Sequence, residues 1–143
     1  MNYEKDARAL CFAAALLFLI AALTGLLVAA AMTGKIDANG HFMLASHLNA
    51  LLGCFWLLGL AFTLKWVRLS DKSTALLLIS AVVSAYANWL VTLIKAFVKV
   101  QGIDFTGEGR NDAIFITLTL LVVIPTLVSA GLWVQGLRKR ATS

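Results

Sequence analysis

A bundle of four membrane-spanning helices is the fold class this sequence predicts, and three observations predict it. Of the 143 residues, 61% are hydrophobic and only 13% are charged, against about 25% charged in an average soluble domain. The apolar residues fall into four runs, each long enough for the roughly 20 helical residues that cross a hydrocarbon core of about 30 Å. The segments between those runs are short, polar and marked by glycine or clustered charge, so no length is left for a separate soluble domain. The expectation is an all-α membrane protein with one transmembrane domain over residues 1–143.

The opening Met1–Arg8 is an amphiphilic lead of mixed charge, and the first span follows over about 9–32. That run exceeds the roughly 7 to 15 apolar residues of a secretory h-region and is read as a mature helix. Ala21, Gly25 and Ala29 recur every four residues. This spacing places small side chains on one face, where a neighbouring backbone can approach and gain dispersion contact. Thr33–His41 is rich in turn formers and reads as the first connection.

The second span covers about 42–64 and carries His47 and Asn49 in its first turns. Lys65–Ser73 follows, with three basic residues and Trp66, as a tight interfacial loop. The third span runs over about 74–98. The connection Lys99–Asp112 is broken by Gly102, Gly107 and Gly109, and the fourth span covers about 113–134. It contains the only proline, Pro125, whose ring removes a backbone donor and clashes one turn back. A kink or loosened turn is expected there, with the carbonyl of Leu121 left free.

Charge sets the expected orientation. Lys and Arg number eight at the two termini and the second loop, against three in the first and third loops, which places both termini in the cytoplasm. A net charge of +5 distributed in this way indicates no nucleic-acid partner. Cys11 and Cys54 stand alone, without a Cys-x-x-Cys pair or metal-ligand spacing, and read as buried small hydrophobes.

Chemistry must come from polar side chains inside the spans. His47 is the strongest candidate, because an ionisable group in a span marks a pathway, a ligand or a cofactor more often than packing. On the third span Ser80, Ser84, Asn88, Thr92 and Lys95 share one face, whose outward half reaches the depth of His47 and Asn49. This stripe is expected to face the bundle interior. Ser80 and Ser84 are read as bonding to their own helix, Lys95 as snorkelling to the interface, and Asn49 and Asn88 as either interhelical glue or a site. Asp104, Glu108, Arg110 and Asp112 read as a solvated surface. No Asp or Glu lies within a span, and no Ser-x-x-Lys, His-Glu-x-x-His or glycine-rich phosphate loop occurs. Proton-coupled transporters of the small four-helix kind, hydrolases and nucleotide enzymes therefore have no support.

At Ala45-Ser-His-Leu-Asn-Ala-Leu-Leu-Gly53 and at Tyr86-Ala-Asn-Trp-Leu-Val-Thr92 the chain resembles the hydroxylaminobenzene mutases and, more distantly, the styrene oxide isomerases. The likeness covers nearly the whole chain. It implies an isomerase that moves the hydroxyl of an aryl hydroxylamine from nitrogen to the ortho ring carbon. The more distant relatives imply haem b with an axial His, ferric iron acting as a Lewis acid. Carried over, His47 becomes the iron ligand, Asn88 the amide of the third-helix element and Tyr86 its aromatic partner. The chain departs from the epoxide isomerases at Gly53 and Thr92, where they have Asn and Tyr, and this favours the mutase branch.

The expected protein is thus an integral protein of the bacterial inner membrane. It binds a small aromatic hydroxylamine, with haem b on His47, and with Asn49, Tyr86, Asn88 and Thr92 as catalytic or positioning groups. Asn49 and Asn88 would orient the substrate's hydroxyl and amino groups, and Tyr86 or Trp89 would stack on its ring. The resemblance also implies a homo-oligomer, a trimer being one candidate. The alternatives are an epoxide isomerase and a non-enzymatic binding or transport subunit.

Overall fold

The computed structural model describes residues 3–138. Among them there is no strand, and four helices are long and apolar enough to span a membrane. Helix α1 is Tyr3–Met32 and α2 is Gly40–Thr63, extended by a 3-10 turn at Leu64–Trp66. Helix α3 is Asp71–Val98. The fourth span consists of α4 (Gly109–Leu118), a wide π turn (Thr119–Val123) and α5 (Ile124–Arg138).

The helices begin earlier than the apolar runs because polar residues cap and extend them. Glu4 and Asp6 lie in the first turn of α1, where their charge favours the exposed N–H groups. The Asn39 side chain accepts from Phe42 N at 3.1 Å and so caps α2, and Ser70 Oγ accepts from Ser73 N at 3.2 Å and caps α3. Gly109 opens α4 instead of breaking the third connection. The buried Asn111 organises that connection, accepting from Gly102 N at 2.7 Å and donating to Asp104 O at 2.8 Å.

Helix α2 packs against both α1 and α3, and the fourth span packs chiefly on α3. Leu10, Ala14, Leu17 and Ala21 of α1 meet Ala50, Cys54 and Leu57 of α2 and Leu77, Ala81 and Ala85 of α3 in one core. Gly53 marks a close approach, since a Cβ there would lie 2.9 Å from Leu17 Cδ2 and 3.2 Å from Ala85 Cβ. In lipid the gain from such contact is dispersion between well-fitted surfaces, because the surrounding tails are as apolar as the core. Small residues set the spacing. The expected stripe on α1 holds for Ala21 and Gly25, but Ala29 is exposed. Cys54 is buried as expected, whereas Cys11 faces outward.

Both ends of the bundle are tied. At one end Asn39 N donates to Ala96 O at 2.7 Å, and Lys99 pairs with Asp37. At the other, Arg68 N donates to Gly136 O at 3.0 Å, and Trp133 Nε1 donates to Thr63 Oγ1 at 3.0 Å. The π turn falls just before Pro125, with Ile124 N–H reaching back to Thr119 O. A loosened turn is what a ring without an N–H produces in the preceding residues. Lys139 and Arg140, which contribute to the expected orientation, lie outside the described residues.

Candidate functional site

His47 and Asn49 are two residues apart on α2, which is about 200° around a helix of 3.6 residues per turn. They therefore face different neighbours: His47 turns to α1 and Asn49 to α3. The expectation that the two form one site within a chain is corrected by this geometry.

On the α3 side, Asn49 Nδ2 donates to Asn88 Oδ1 at 3.2 Å and to Thr92 Oγ1 at 3.0 Å. An amide nitrogen has two hydrogens, and both are engaged. Asn49 thus presents its carbonyl oxygen as an acceptor, while Asn88, whose oxygen is taken, presents N–H donors. Both side chains line a cleft of about 270 Å³ between α2, α3 and the fourth span, together with Gly53, Trp56, Ser84 and Thr126. Ring against ring, Trp133 supports Trp56 edge-on at 5.0 Å and 88°. The cleft combines an aromatic wall, an acceptor and a donor, which suits a small planar molecule carrying a polar substituent.

On the α1 side, His47 Nδ1 lies 2.8 Å from Ala21 O. A carbonyl can only accept, so Nδ1 carries a hydrogen, and in the neutral ring Nε2 is then the nitrogen with the lone pair. Gly25 makes room for the ring, as a Cβ there would sit 3.3 Å from His47 Cε1. The half-buried imidazole is held in the tautomer that a metal-ligating histidine adopts when a backbone carbonyl fixes its other nitrogen. No group of three or more His, Cys, Asp or Glu with metal-holding geometry occurs among the described residues. The donor set accordingly suits a prosthetic group that brings most of its own ligands.

The remaining candidates are placed as follows. Tyr86 OH donates to Ala13 O at 2.8 Å and faces α1, away from the amide cleft. Trp89 Nε1 donates to Thr24 Oγ1 at 3.0 Å, and the buried Ser46 donates to Trp89 O at 3.0 Å. These bonds clasp α1, α2 and α3, so neither aromatic ring lines the cleft. Ser80 and Ser84 bond to their own helix, at Leu76 O (2.6 Å) and Ala81 O (3.1 Å). Lys95 is buried, with Nζ 4.8 Å from the centre of the Phe42 ring. It rests on that ring, where snorkelling was expected.

Sequence reasoning missed Trp56, Thr126, Thr24 and Ser46. Thr126 reaches the cleft through the packing of the fourth span on α3, a tertiary relation that no spacing within one helix records, whereas Trp56 is seven residues from Asn49 and shares its face of α2. Thr24 has a signal in hindsight, being one turn from Ala21 on the buried face of α1.

Comparison with known proteins adds to this geometry. The chain matches the family description "styrene oxide isomerase" over residues 6–138. It is 28% identical over 129 residues to the hydroxylaminobenzene mutase HabB of Ectopseudomonas oleovorans, covering 85% of this chain and 75% of that protein. No solved structure gives a significant match.

Proposed function

The chain belongs to the styrene oxide isomerase family, and on that premise we propose that it is a membrane isomerase converting an aryl hydroxylamine to an ortho-aminophenol. The similarity to a hydroxylaminobenzene mutase over most of the chain supports this branch. The observation that carries it is the Asn49–Asn88 pair, whose engaged hydrogens leave an acceptor and a donor side by side on a cleft with an aromatic wall. An N–OH group on a ring offers the matching set: a hydroxyl oxygen to accept from Asn88 and an amino hydrogen to donate to Asn49.

The reaction is an isomerisation and needs no external electrons. The N–O bond breaks, a C–O bond forms at the ortho carbon, the ortho carbon releases one proton and the amino nitrogen gains one, so the migrating oxygen ends with the one hydrogen it began with. Negative charge develops on the departing oxygen, and the Asn88 N–H groups stabilise it in a site screened from water. Asn49 keeps the amino nitrogen oriented so that the ortho carbon stays near that oxygen. Thr92 fixes the Asn49 amide and so determines which of its atoms faces the cleft. None of these side chains ionises, so the proton released by the ortho carbon returns to the amino nitrogen directly or through water.

His47, with Nε2 unprotonated, would hold haem iron as an axial ligand. When bound, that group supplies a Lewis acid. In one chain His47 and the amide cleft lie on opposite faces of α2, and association of copies that sets one copy's His47 face on another's cleft would join them. Two different surfaces in contact form a heterologous interface, which gives a ring when the rotation between copies closes. We place the protein in the bacterial inner membrane as such a homo-oligomer, a trimer being one closed form, with the excess of Lys and Arg supporting cytoplasmic termini.

The family description favours a second reading, isomerisation of an aryl epoxide to a carbonyl compound. Membranes containing the protein, given phenylhydroxylamine or styrene oxide without cofactors, separate the two. Formation of 2-aminophenol supports the mutase; turnover of the epoxide alone replaces it; turnover of neither by inserted, haem-replete protein overturns both.

A further inference from the structure

Three pairs of neighbouring residues meet in one layer of the bundle: Thr24 and Gly25 on α1, Ser46 and His47 on α2, and Asn88 and Trp89 on α3. One member of each pair serves the imidazole or the amide cleft. Gly25 makes room for the His47 ring, and Asn88 accepts from Asn49. The other members, Thr24, Ser46 and Trp89, bond to one another.

Ser46 Oγ donates to Trp89 O at 3.0 Å, Trp89 Nε1 donates to Thr24 Oγ1 at 3.0 Å, and Thr24 Oγ1 donates to Ile20 O at 2.8 Å. The chemistry of each group fits its role. An indole N–H can only donate, and a threonine hydroxyl that gives its hydrogen to Ile20 O keeps a lone pair for the indole. Ser46 is 0% exposed and Thr24 2%, so water does not replace these bonds when they break. A satisfied buried network of this kind holds its members to one geometry.

The bonds matter because direct packing between α1 and α3 is slight, α2 lying against both. Trp89 joins the two helices at Thr24, and Tyr86 joins them at Ala13 O, about 16 Å away along α1. The first of these bonds lies at His47. Thr24 precedes Gly25, and Ile20, whose carbonyl takes the Thr24 hydrogen, precedes Ala21, whose carbonyl accepts from His47 Nδ1 at 2.8 Å. Ser46 precedes His47 itself. A slide of this turn of α1 along α2 would change both the Nδ1 bond and the clearance at Gly25.

We propose that Trp89 is a positioning residue for His47. Bonded to Thr24 through its indole and to Ser46 through its carbonyl, it locks the α1 turn that supplies Ala21 O against the α2 turn that carries the imidazole. Nδ1 is thereby kept as the protonated nitrogen, and Nε2 is aimed in one direction, as an orienting bond does for a metal-ligating histidine. Because Asn88 is its chain neighbour, Trp89 also ties His47 to the amide cleft on the other face of α2. The proposal deepens the reading of His47 as an iron ligand, and its test is read without turnover, so the two fail separately.

The test compares full-length Trp89→Phe, Thr24→Val and Tyr86→Phe in detergent, each with His41→Gln so that His47 is the one histidine left in the chain. Nitrogen NMR of isotope-labelled histidine, recorded on the neutral ring before haem is added, gives the ratio of the Nδ1–H to the Nε2–H tautomer. The wild-type pair is expected to hold the Nδ1–H form in excess. Trp89→Phe and Thr24→Val each lower the ratio by about threefold, the strength of an ordinary bond between membrane helices. The double variant lowers it no further, since both changes remove the same bond. Thr24→Ser keeps the hydroxyl and returns the wild-type ratio. Tyr86→Phe breaks a bond of similar length between the same helices and leaves the ratio unchanged. In haem-loaded protein the iron–imidazole stretching frequency, which follows the strength of the Nδ1 bond, shifts in the first two variants and not in Tyr86→Phe. No excess of the Nδ1–H form in the wild type, an unchanged ratio in Trp89→Phe and Thr24→Val, or an equal fall in Tyr86→Phe would each overturn the proposal.

Discussion

Asn49 donates to Asn88 across the α2–α3 interface at 3.2 Å, and its second amide hydrogen goes to Thr92 at 3.0 Å. That bond orients both amides, making Asn49 an acceptor and Asn88 a donor toward the cleft. Replacing the donor is therefore informative. Asn88→Leu is expected to lower turnover of an aryl hydroxylamine by about 10²–10³-fold, the usual cost of removing one donor to a developing oxyanion. Ser84→Ala touches the same cleft, but its hydroxyl bonds Ala81 O. It should change kcat/KM by less than about threefold, well below the effect of a lost oxyanion donor. Initial rates on purified, reconstituted variants of matched helix content check both.

Tyr86 is a fastener between helices. Its hydroxyl donates to Ala13 O at 2.8 Å, so Tyr86→Phe should lower unfolding free energy by about 0.6 kcal/mol, the average for such bonds between membrane helices. kcat should be unaffected. Equilibrium unfolding in mixed micelles gives the first number and product formation the second; a large loss of kcat with unchanged stability would return Tyr86 to the site.

The His47 ring is positioned by Ala21 and Gly25 of α1. Gly25→Val adds branched bulk where a Cβ alone would lie 3.3 Å from Cε1, and is expected to displace the imidazole. If His47 holds haem, the wild type shows a Soret band that His47→Ala loses and Gly25→Val weakens or shifts, measured by absorption of the purified proteins. A band of equal strength in His47→Ala would remove it as a ligand.

At Gly53 the side of α2 lies close against Leu17 of α1 and Ala85 of α3. Gly53→Ala puts a methyl 2.9 Å from Leu17 Cδ2 and 3.2 Å from Ala85 Cβ, and overpacking of this kind costs about 1–3 kcal/mol. The change also separates α2 from α3 and stretches the Asn49–Asn88 bond. Activity should fall together with Tm, in contrast to Tyr86→Phe, where Tm moves alone.

The four spans were legible because each is a long apolar run bounded by charge or turn formers, and the fold's interior follows from the period of α3, whose Ser80, Ser84 and Thr92 are buried. Helix starts were not, since Asn39, Ser70 and Glu108 cap before the apolar residues begin. The chemistry was half legible. Asn49, Asn88 and Thr92 could be brought together from depth and spacing, and they do bond. His47 and Asn49 were grouped by depth alone, although their angular separation of about 200° already assigned them to different neighbours. Trp56 was within reach, seven residues after Asn49 on one face of α2, whereas Thr126 was not, because its place depends on how the fourth span packs on α3.

The central claim is tested most directly by following phenylhydroxylamine in membranes that contain the protein, with no nucleotide or reductant added. The amount of 2-aminophenol formed by wild type and by Asn88→Leu is the quantity to measure. The account predicts stoichiometric 2-aminophenol from the wild type and at least a hundredfold slower formation in the variant, the effect of a lost oxyanion donor. No 2-aminophenol from inserted, haem-replete protein, or an undiminished rate in Asn88→Leu, would contradict it.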